Sequence, residues 1–585
     1  MYAAVVAQTR GTLGGSSLAS WDELVFLVVG FLVVVAVLYA LGDAEPSWGG
    51  LRHLARVPRG LTRVTGIPGW AAVSVGLSLF GLLVAGQGFY SDVSWHIALG
   101  RDDDLFTAPH TSILVGLVAI LGAAVLGTVT ATLERVPGLR VGALRVPPSL
   151  LPMWALGLGA VAGFPLDEVW HSTYGIDVTM WSPTHMLMIL GASFSGLAAW
   201  IVLAGAGVRP TDGRWARGVH VLCAWLTLQG SVASLGEFAF GVPQFSQLFH
   251  PVIVCLAAGL GLVTARLVLG RGWTVGVATV SFLLLAGPLD LGGEGPATMR
   301  QGATFVVSAV VVELAALGLG TDRRLRFALV AGVGIGTFGL ASEWAWNQGA
   351  AQPWTTALLP EAVLFGLAAA LGAAVLGGVV GGAVAGDRVT VPGPAVAVAA
   401  VVCVGVLLAP MPRRVGDVRV AIDVTRDGDV AEIEATLTPA DAADDARWFQ
   451  ATAWQGGGLV VVDMVATDEP GVWRSDRPVP VTGHWKTLLR LHRGGEMMAA
   501  PVWFPADPDI GEGEVPAEDR EVAFGSERTY LMREADERAT GILSPLVHGL
   551  LAAAAAGWAL AFAVAVRSLR RAAAPSERSE PVPSA

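Results

Sequence analysis

The sequence predicts an all-α polytopic membrane bundle of about 13 transmembrane helices, built from repeated helical hairpins, with a C-terminal extracytoplasmic β-sandwich domain. Hydrophobic residues make up 53% of the 585 residues and charged residues only 15%, whereas about a quarter of a soluble protein is charged. The apolar residues fall in runs of roughly 18 to 24, the length that crosses a bilayer as a helix. A polar, β-branched stretch separates the last two runs and predicts the additional domain.

The first twelve apolar runs predict a membrane domain at 22–410, preceded by an extracytoplasmic N-terminus at 1–21. The thirteenth run predicts a C-terminal transmembrane helix at 541–567, followed by a disordered cytoplasmic tail at 568–585. The predicted spans lie near 22–41, 70–90, 111–131, 149–166, 184–205, 218–236, 251–269, 273–289, 302–320, 327–342, 361–384, 393–410 and 543–566.

The distribution of arginine predicts the orientation in the membrane. Arginine is concentrated in alternate loops, such as "LRHLARVPRGLTR" and "TDRRLR", and in the tail "RSLRR". Because cytoplasmic loops carry the excess of Lys and Arg, the N-terminus is expected outside and the C-terminus in the cytoplasm. The "MPRR" cluster at 411–414 is a local exception. We therefore expect a multi-pass protein of the plasma membrane, and the uneven net charge of −11 does not indicate a nucleic-acid partner.

The polar region at 411–540 predicts an extracytoplasmic β-sandwich-like domain. The runs "VRVAIDVTRDG", "VAEIEATLTPA", "GLVVVDMVATD" and "HWKTLLRLHRG" are alternating or β-branched and are bounded by Gly, Pro or Asp. Several such runs at close spacing are typical of a small sandwich. The three cysteines, Cys223, Cys255 and Cys403, lie within apolar runs and are too scattered for a disulfide framework or a thiolate metal site.

A polar motif occurs twice between apolar runs on the predicted outer side. The stretch "DVSWH" begins at Asp92, and "DEVWH" begins at Asp167. In both copies another histidine follows 14 residues after the first, so both read D-x-x-W-H-x13-H. This similarity predicts a duplicated helical hairpin. Its candidate site residues are Asp92, His96, His110, Asp167, His171 and His185.

Three later hairpin tips resemble decayed copies of this motif. One keeps the pattern E-x-x-W-N with a glutamate 14 residues further on, another pairs a glutamate with a histidine, and a third has two acids four residues apart. The first two tips provide the secondary candidate ligands, which are Glu343, Asn347, Glu361, Glu237 and His250; the third tip carries Asp290 and Glu294.

The residue types of the repeated motif suit a metal ion. An Asp and a His four residues apart lie on one helical face, and a His at the start of the next helix folds back over them. Two imidazoles and one carboxylate form a facial set with open coordination positions, which suits copper, and also iron or zinc. Magnesium and calcium fit poorly because they prefer oxygen ligands. A bound cation would also offset the charge of a carboxylate near the membrane.

The competing interpretation needs no metal. Asp and His could cap helix ends and bond each other, with Trp95 and Trp170 as interfacial belt residues. A single D-x3-H favours this interpretation, whereas the second copy with the same spacing favours a metal site.

Other polar groups carry weaker signals. Arg101 and the aspartates at 102–104 are typical of a solvated loop. Glu313, within the apolar run "VVVELAAL", is a candidate for proton handling or for pairing with another helix. In the β-domain, thioether and imidazole groups suggest a weak copper site, while the alternative is surface histidines and core methionines. The residues concerned are His484, His492, Met497 and Met498.

The first motif resembles one in a known family. The C subunit of the particulate methane and ammonia monooxygenases carries D-x-S-W-H, then R-D, then F-T-x-x-H. This chain has "DVSWH" from Asp92, "RD" at 101–102 and "FTAPH" ending at His110, a resemblance over about 20 residues. The resemblance implies that Asp92, His96 and His110 bind copper. Through the repeat, it extends the same role to Asp167, His171 and His185.

Three functions are consistent with these features. The resemblance favours a copper-dependent, monooxygenase-like membrane oxidoreductase that acts on a small apolar substrate from the lipid bilayer. Its electrons would come from an electron donor or other membrane subunits, because the sequence shows no flavin, haem or quinone motif. The second is a copper storage or delivery protein, with a metal ion as cargo. The third is a many-span lipid-linked glycosyltransferase, with Asp92 as base and the acids at 102–104 holding a cation.

Overall fold

The apolar runs form helices, and the polar stretch that follows them forms β-strands. The computed structural model describes residue 29 and residues 56–100, 106–174, 179–285, 302–350, 352–387, 390–411, 414–508, 511–531 and 542–573. The predicted N-terminus at 1–21 and nearly all of the first predicted span lie outside these ranges.

Eighteen α-helices occur within the described ranges. They are α1 (Arg56–Thr65), α2 (Gly69–Leu99), α3 (Ala108–Leu133), α4 (Leu151–Tyr174), α5 (Pro183–Ser193), α6 (Ser195–Gly205), α7 (Arg214–Val232), α8 (Gly236–Ala239), α9 (Phe249–Ala257), α10 (Val263–Leu269), α11 (Trp273–Leu285), α12 (Val306–Leu319), α13 (Arg324–Gly334), α14 (Leu340–Asn347), α15 (Leu359–Val384), α16 (Gly393–Leu408), α17 (Glu527–Leu531) and α18 (Leu543–Ala573). Short 3₁₀ or π segments extend or join several of them: Pro148–Leu150, Ala233–Leu235, Ala258–Leu262, Ile335–Gly339 and Thr356–Leu358.

Nine helical segments of the described chain are long and apolar enough to cross a membrane. They are Gly69–Leu99, Ala108–Leu133, Pro148–His171, Pro183–Gly205, Arg214–Ala239, Phe249–Leu269, Arg324–Asn347, Thr356–Val384 and Leu543–Ala573. The predicted total of thirteen spans is not confirmed. Three predicted spans correspond to α11, α12 and α16, which are apolar but have only 10–17 residues. The helices α12 and α16 extend about 21 and 24 Å, less than the roughly 30 Å of a bilayer core, and α11 is described only as far as Leu285.

The first motif lies on a hairpin whose two helices pack very closely. Gly116 of α3 meets α2 at its backbone: a Cβ atom at this position would lie 2.5 Å from the Gly81 carbonyl oxygen and 2.5 Å from the Ala85 nitrogen. Only glycine permits this approach, as is common between membrane helices. The contact fixes the register of α2 against α3 and therefore the relative heights of the motif residues.

The buried acid of α12 pairs with neighbouring helices. Glu313 Oε2 lies 2.9 Å from Arg266 Nε on α10. Glu313 Oε1 accepts hydrogen bonds from Thr274 Oγ1 at 2.5 Å and from the Gly272 N–H at 2.9 Å. Of the two interpretations of Glu313, the structure supports helix pairing, because these contacts occupy both carboxylate oxygens.

Twelve strands lie in the described part of the chain. A short hairpin, β1 (Leu139–Val141) and β2 (Leu144–Val146), joins α3 to α4. The remaining strands form the β-domain, residues 414–531: β3 (Arg419–Asp427), β4 (Val430–Thr438), β5 (Trp448–Trp454), β6 (Leu459–Ala466), β7 (Val472–Ser475), β8 (Val479–Pro480), β9 (Lys486–Arg493), β10 (Glu496–Trp503), β11 (Arg520–Ala523) and β12 (Gly525–Ser526). The four strands predicted from the sequence correspond to β3, β4, β6 and β9.

The β-domain strands pair antiparallel in the order β11-β3-β4-β7-β6-β5-β9-β10-β12, with β8 beside β4. One core takes side chains from both halves of this path, for example Ile422 and Ile433 from one half and Phe449 and Leu489 from the other. The path therefore folds over on itself, and its two halves pack face to face, as in a sandwich.

The half formed by β5, β9 and β10 is buried on both faces. Phe449 and Leu489 point into the sandwich core. Trp454 and Leu488, which point to the opposite face, join a second apolar cluster that includes Ile97 at the end of α2. The β-domain therefore docks on the helix ends that carry the first motif.

A buried charged cluster lies on the docking face. Glu527 Oε2 is 3.0 Å from Arg490 Nη2 and 2.8 Å from His492 Nε2, and all three side chains are at most 3% exposed. Arg490 also donates to the carbonyl oxygen of Pro243, which follows α8. Burial lowers the pKa of His492 to about 4 and outweighs the opposing effect of Glu527. Burial alone would raise the pKa of Glu527, but Arg490 and His492 lower it to about 2.

We expect the docked β-domain to lose stability as the pH falls from about 6.5 to about 4. Unfolded His492 takes up a proton near its ordinary pKa of 6.5, whereas the folded residue does so near 4. The unfolded state therefore binds more protons in this window, and acidification favours unfolding. The thermal unfolding midpoint of the purified chain in detergent, measured from pH 4 to pH 7, tests this dependence.

His492→Gln should flatten that pH dependence, because glutamine keeps an N–H donor for Glu527 but does not titrate. The matched control is His484→Gln, since His484 is an exposed histidine of the same domain. The control should keep the wild-type slope. An unchanged slope in His492→Gln would contradict the assignment.

Candidate metal centres

Both copies of the motif place the aspartate and the first histidine one turn apart near the end of a helix. The second histidine is the third residue of the next helix. Thr107, the N-cap of α3, accepts a hydrogen bond from the N–H of His110. Ser182, the N-cap of α5, does the same for His185. The sequences "TAPH" and "SPTH" thus combine an N-cap residue with a proline in the first turn, which fixes where each helix begins.

The first centre consists of Asp92, His96 and His110. Asp92 Oδ1 lies 3.0 Å from His110 Nε2 and 3.6 Å from His96 Nε2. The two imidazole rings are 5.9 Å apart, centre to centre. The side chains of His96 and His110 are each 18% exposed and that of Asp92 17%, so the group is largely enclosed but still accessible.

The second centre consists of Asp167, His171 and His185. Asp167 Oδ1 lies 3.8 Å from His171 Nε2, and Asp167 Oδ2 lies 3.1 Å from His185 Nε2. The two rings are 5.4 Å apart. Thr184 Oγ1 donates a hydrogen bond of 2.5 Å to Asp167 Oδ1. Pro109 takes the corresponding position in the first centre and has no hydroxyl, so this contact distinguishes the second centre from the first.

The two centres are neighbours. The His110 ring contacts the ring of Phe164 edge-on, at 6.4 Å between centres. Phe164, Asp167 and His171 follow at i, i+3 and i+7 and so share one face of α4. His171 also lies within electrostatic range of both His96 and His110. The predicted sites are therefore two separate triads, set side by side between the first hairpin (residues 69–133) and the second (residues 151–205).

The ligand atoms have a separation that suits a metal ion. Ligands bound at about 2.0 to 2.2 Å, at bond angles near 90 to 110°, lie roughly 2.8 to 3.6 Å from each other. The carboxylate–imidazole separations of 3.0 and 3.6 Å in the first centre and 3.1 and 3.8 Å in the second are close to this range. Within each centre, one ligand atom from every residue lies within 4.8 Å of the others. Each group could therefore hold a metal ion.

Hydrogen bonds of the Nδ1 atoms determine which tautomer two of the imidazoles adopt. His96 Nδ1 lies 2.9 Å from the Gly100 carbonyl oxygen, and His185 Nδ1 lies 3.2 Å from the Thr179 carbonyl oxygen. A carbonyl only accepts, so Nδ1 carries the hydrogen and Nε2 of the neutral ring has a lone pair facing the carboxylate. Two acceptors that face each other need a cation between them, either a second proton on the ring or a metal ion.

One buried atom of the centres, Nε2 of His171, makes no hydrogen bond with the described residues. A buried polar atom without a partner costs about 1 to 3 kcal/mol. A metal ion bound by this nitrogen would remove that cost, and the residues present therefore fit a metal ion.

The β-domain holds the helix end that carries the first centre. The N–H groups of Gln455 and Gly457 donate to the carbonyl oxygens of Ile97 at 3.0 Å and Ala98 at 2.9 Å. Gln455 Nε2 also donates to the His96 carbonyl oxygen at 3.2 Å. The bonds to Ile97 and Ala98 satisfy carbonyls that the end of a helix leaves without an intrahelical partner, and the His96 carbonyl also accepts from the Gly100 N–H. The β5–β6 turn thus anchors the backbone of His96.

Glu237 and His250, two secondary candidates, have partners other than a metal group. Glu237 Oε2 accepts from Thr179 Oγ1 at 3.0 Å and from the Met180 N–H at 2.9 Å. His250 Nδ1 accepts from Trp354 Nε1 at 2.9 Å, and its ring stacks on a phenylalanine. Both residues are buried and bonded within the helix bundle.

The remaining secondary candidates are also bonded to protein groups. Glu343 accepts hydrogen bonds from Thr304 N–H and Oγ1 and from the Phe305 N–H, at 2.9, 2.8 and 2.7 Å. Asn347 Oδ1 accepts from the Trp354 N–H. Glu361 forms an ion pair with an arginine of the β-domain. In the described chain, the two centres are the groups of three His, Cys, Asp or Glu that could hold a metal.

The weak candidates of the β-domain are not gathered into one group. Met498 is fully buried in the sandwich core, and His484 is exposed. His492 and Met497 are cross-strand partners, but the His492 ring stacks on Trp448 at 3.7 Å, and its Nε2 bonds a glutamate. These contacts account for the buried histidine without a metal. Arg101, the acids at 102–104, Asp290 and Glu294 lie outside the described ranges.

Sequence reasoning missed three contributors to the centres: Thr184, Thr179 and Gln455. Thr184 is adjacent in sequence to the candidate ligand His185, and this position could have indicated its role. Thr179 and Gln455 act through backbone or distant contacts that no local pattern reveals. Comparison of the chain with protein families, curated proteins and solved structures gives no match, so the function must be inferred from these side chains.

Thr184→Val should weaken metal binding at the second centre by about 10- to 100-fold, the usual effect of losing a partner of a ligating group. Valine has the shape of threonine but does not donate to Asp167. Metal affinity should be measured by competition titration in a His96→Ala/His110→Ala background, which retains the second centre alone.

The control for this variant is Thr130→Val, which removes a buried hydroxyl that bonds only within α3. It should leave the affinity unchanged. Equal affinities in Thr184→Val and the parent would show that the Thr184 hydrogen bond does not support the second centre.

Proposed function

We propose that this chain is a copper-binding integral membrane protein, with two neighbouring Asp/His/His centres at the ends of its helices. The observation that carries the proposal is the duplication: both copies of the motif bring one carboxylate and two Nε2 atoms together with nearly the same separations. A structural ion pair does not require the third residue to recur at the same place, whereas a ligand set does.

The ligand chemistry and the first motif support copper. Two imidazoles and one carboxylate suit copper, iron(II) or zinc rather than magnesium or calcium. The resemblance of the stretch from Asp92 to His110 to the monooxygenase C subunit favours copper among these. We place both centres on the outer side of the plasma membrane, because the arginine-rich loops, which are expected in the cytoplasm, lie at the opposite helix ends.

A monooxygenase-like oxidation of a small apolar molecule is the activity we favour. Copper would supply redox chemistry with O₂, and an electron donor or a partner subunit would supply the electrons. The chain would fix the ligands from two capped helix starts and would present an aromatic wall, Phe164, beside His110. Apolar helix surfaces around the motif give a small apolar substrate a route from the bilayer.

Copper storage or delivery is the second candidate. The exposure of the six ligand side chains, between 14 and 22%, supports it, because an ion could enter or leave without unfolding the bundle. The glycosyltransferase hypothesis has less support. A catalytic base needs an available carboxylate, and Asp92 faces two imidazole rings.

The purified chain should bind about two copper ions, and His96→Ala and His171→Ala should each lose about one. Loss of an imidazole leaves only two ligands in a centre. Metal content after dialysis, measured by mass spectrometry, checks this stoichiometry. The control is His484→Ala, which removes an exposed histidine of the β-domain and should leave the content unchanged.

Copper that is absent from the wild type, or retained by both variants, would rule out the proposal. Oxygen consumption with a supplied reductant then separates the two candidates. An oxidoreductase consumes O₂ in proportion to its copper, and a storage protein does not.

A further inference from the structure

We propose that Glu237, from the third hairpin (α7 to α10, residues 214–269), is a positioning residue of the second centre. It does not contact the ligand atoms of that centre. It holds the segment whose carbonyl oxygen orients His185. The inference rests on the proposed metal function. It assigns to the second centre a positioning residue that the first centre does not use.

The contacts run in an unbroken chain from Glu237 to the ligand. Glu237 Oε2 accepts from Thr179 Oγ1 at 3.0 Å and from the Met180 N–H at 2.9 Å. The carbonyl oxygen of Thr179 lies 3.2 Å from His185 Nδ1. Because Nδ1 donates to this carbonyl, Nε2 keeps its lone pair and points at Asp167, 3.1 Å away. Movement of the Thr179 carbonyl would rotate the ring or change its tautomer.

The segment is clamped against the third hairpin. Glu237, Thr179 and Met180 are all at least nine-tenths buried. Trp181 donates through Nε1 to the Ser234 carbonyl oxygen at 2.8 Å, which adds a second bond between the same two elements. The other oxygen of Glu237 accepts from the Gln244 N–H at 2.6 Å, so the carboxylate is itself fixed. Glu237 therefore transmits the position of the third hairpin to the second centre.

The first centre uses a different arrangement. His96 Nδ1 faces the carbonyl oxygen of Gly100, four residues further along the same helix end. No residue of the third hairpin takes part in this contact. A defect at Glu237 should therefore act on the second centre and spare the first.

Glu343 provides a matched control. It lies on α14, has the same 3% exposure as Glu237 and, like Glu237, accepts three hydrogen bonds from the described residues, two of them from backbone N–H groups. These three bonds come from Thr304 and Phe305, and neither residue belongs to a metal centre. Replacement of Glu343 by glutamine should therefore reduce the stability of the fold about as much as the same replacement at Glu237, but it should not displace any ligand of a metal centre.

The experiment compares Glu237→Gln with Glu343→Gln in the full chain in nanodiscs. A His96→Ala/His110→Ala background retains only the second centre, and a His171→Ala/His185→Ala background retains only the first. The probe is Cu(II), with affinity from competition titration and the ligand set from electron paramagnetic resonance. Glu237→Gln should lower the affinity of the second centre about 10- to 100-fold and reduce its nitrogen hyperfine pattern from two imidazoles to one. It should leave the first centre unchanged.

Glu343→Gln should lower the unfolding temperature in the same way but leave both copper spectra unchanged. Wild-type affinity and spectrum in Glu237→Gln would overturn the inference, as would equal losses in the two variants. If Glu237→Gln does not fold, Thr179→Val removes one of the three bonds and should still produce a several-fold loss at the second centre; an unchanged affinity there would also overturn it. Failure of the proposed function is separately visible, because neither background would then bind copper.

Discussion

The arrangement of the helix ends depends on one constraint: a carboxylate enclosed among apolar helices must have its charge compensated. Burial of an unpaired carboxylate is too costly to persist, and polar groups at membrane depth accordingly occur with partners. Asp92 and Asp167 each face two imidazole nitrogens. In each centre at least one imidazole lone pair points at the carboxylate. A cation, either a proton or a metal ion, is therefore needed between the imidazole nitrogen and the carboxylate oxygen. The motif is therefore a site for positive charge before any chemistry is assigned to it.

The same constraint is met differently in the later hairpins. Glu237 and Glu343 also place a carboxylate at a hairpin tip, but backbone N–H groups and threonine hydroxyls compensate it. These carboxylates join neighbouring segments of the chain. The helical bundle thus uses enclosed acids for two purposes, and the presence of two histidines distinguishes one from the other. The β-domain adds a further layer, because its β5–β6 turn caps the end of α2 beside the first centre.

Much of the centres was predictable from the sequence because their geometry is local. The i, i+4 spacing of Asp92 and His96 sets them on one face, and the N-cap before His110 sets the start of the next helix. The positions of nine spans followed from apolar runs, and four strands from alternation. The count of thirteen spans is not confirmed, since apolar composition does not reveal that α12 and α16 are shorter than a span, and the first predicted span lies almost wholly outside the described residues.

Long-range contacts explain what the sequence could not predict. Gln450 and Arg490 belong to strands whose polar residues indicate a solvent-facing side, yet both are fully buried where the β-domain docks. Arg490 is compensated by Glu527, 37 residues away in sequence. The partner of Glu313, Arg266, is likewise on another helix. The sequence alone could therefore not decide between an ion pair and proton handling for Glu313. Domain docking and ion pairing of this kind depend on which surfaces of the folded chain come into contact. The periodicity of the sequence does not predict these contacts.

Anomalous X-ray diffraction at the copper absorption edge, from crystals of the copper-loaded chain, tests the central claim most directly. We predict one peak within Asp92, His96 and His110 and a second within Asp167, His171 and His185, with each peak in contact with one carboxylate and two Nε2 atoms. Peaks elsewhere, for example beside His492 and Met497, or none at either centre in copper-loaded crystals, would contradict it.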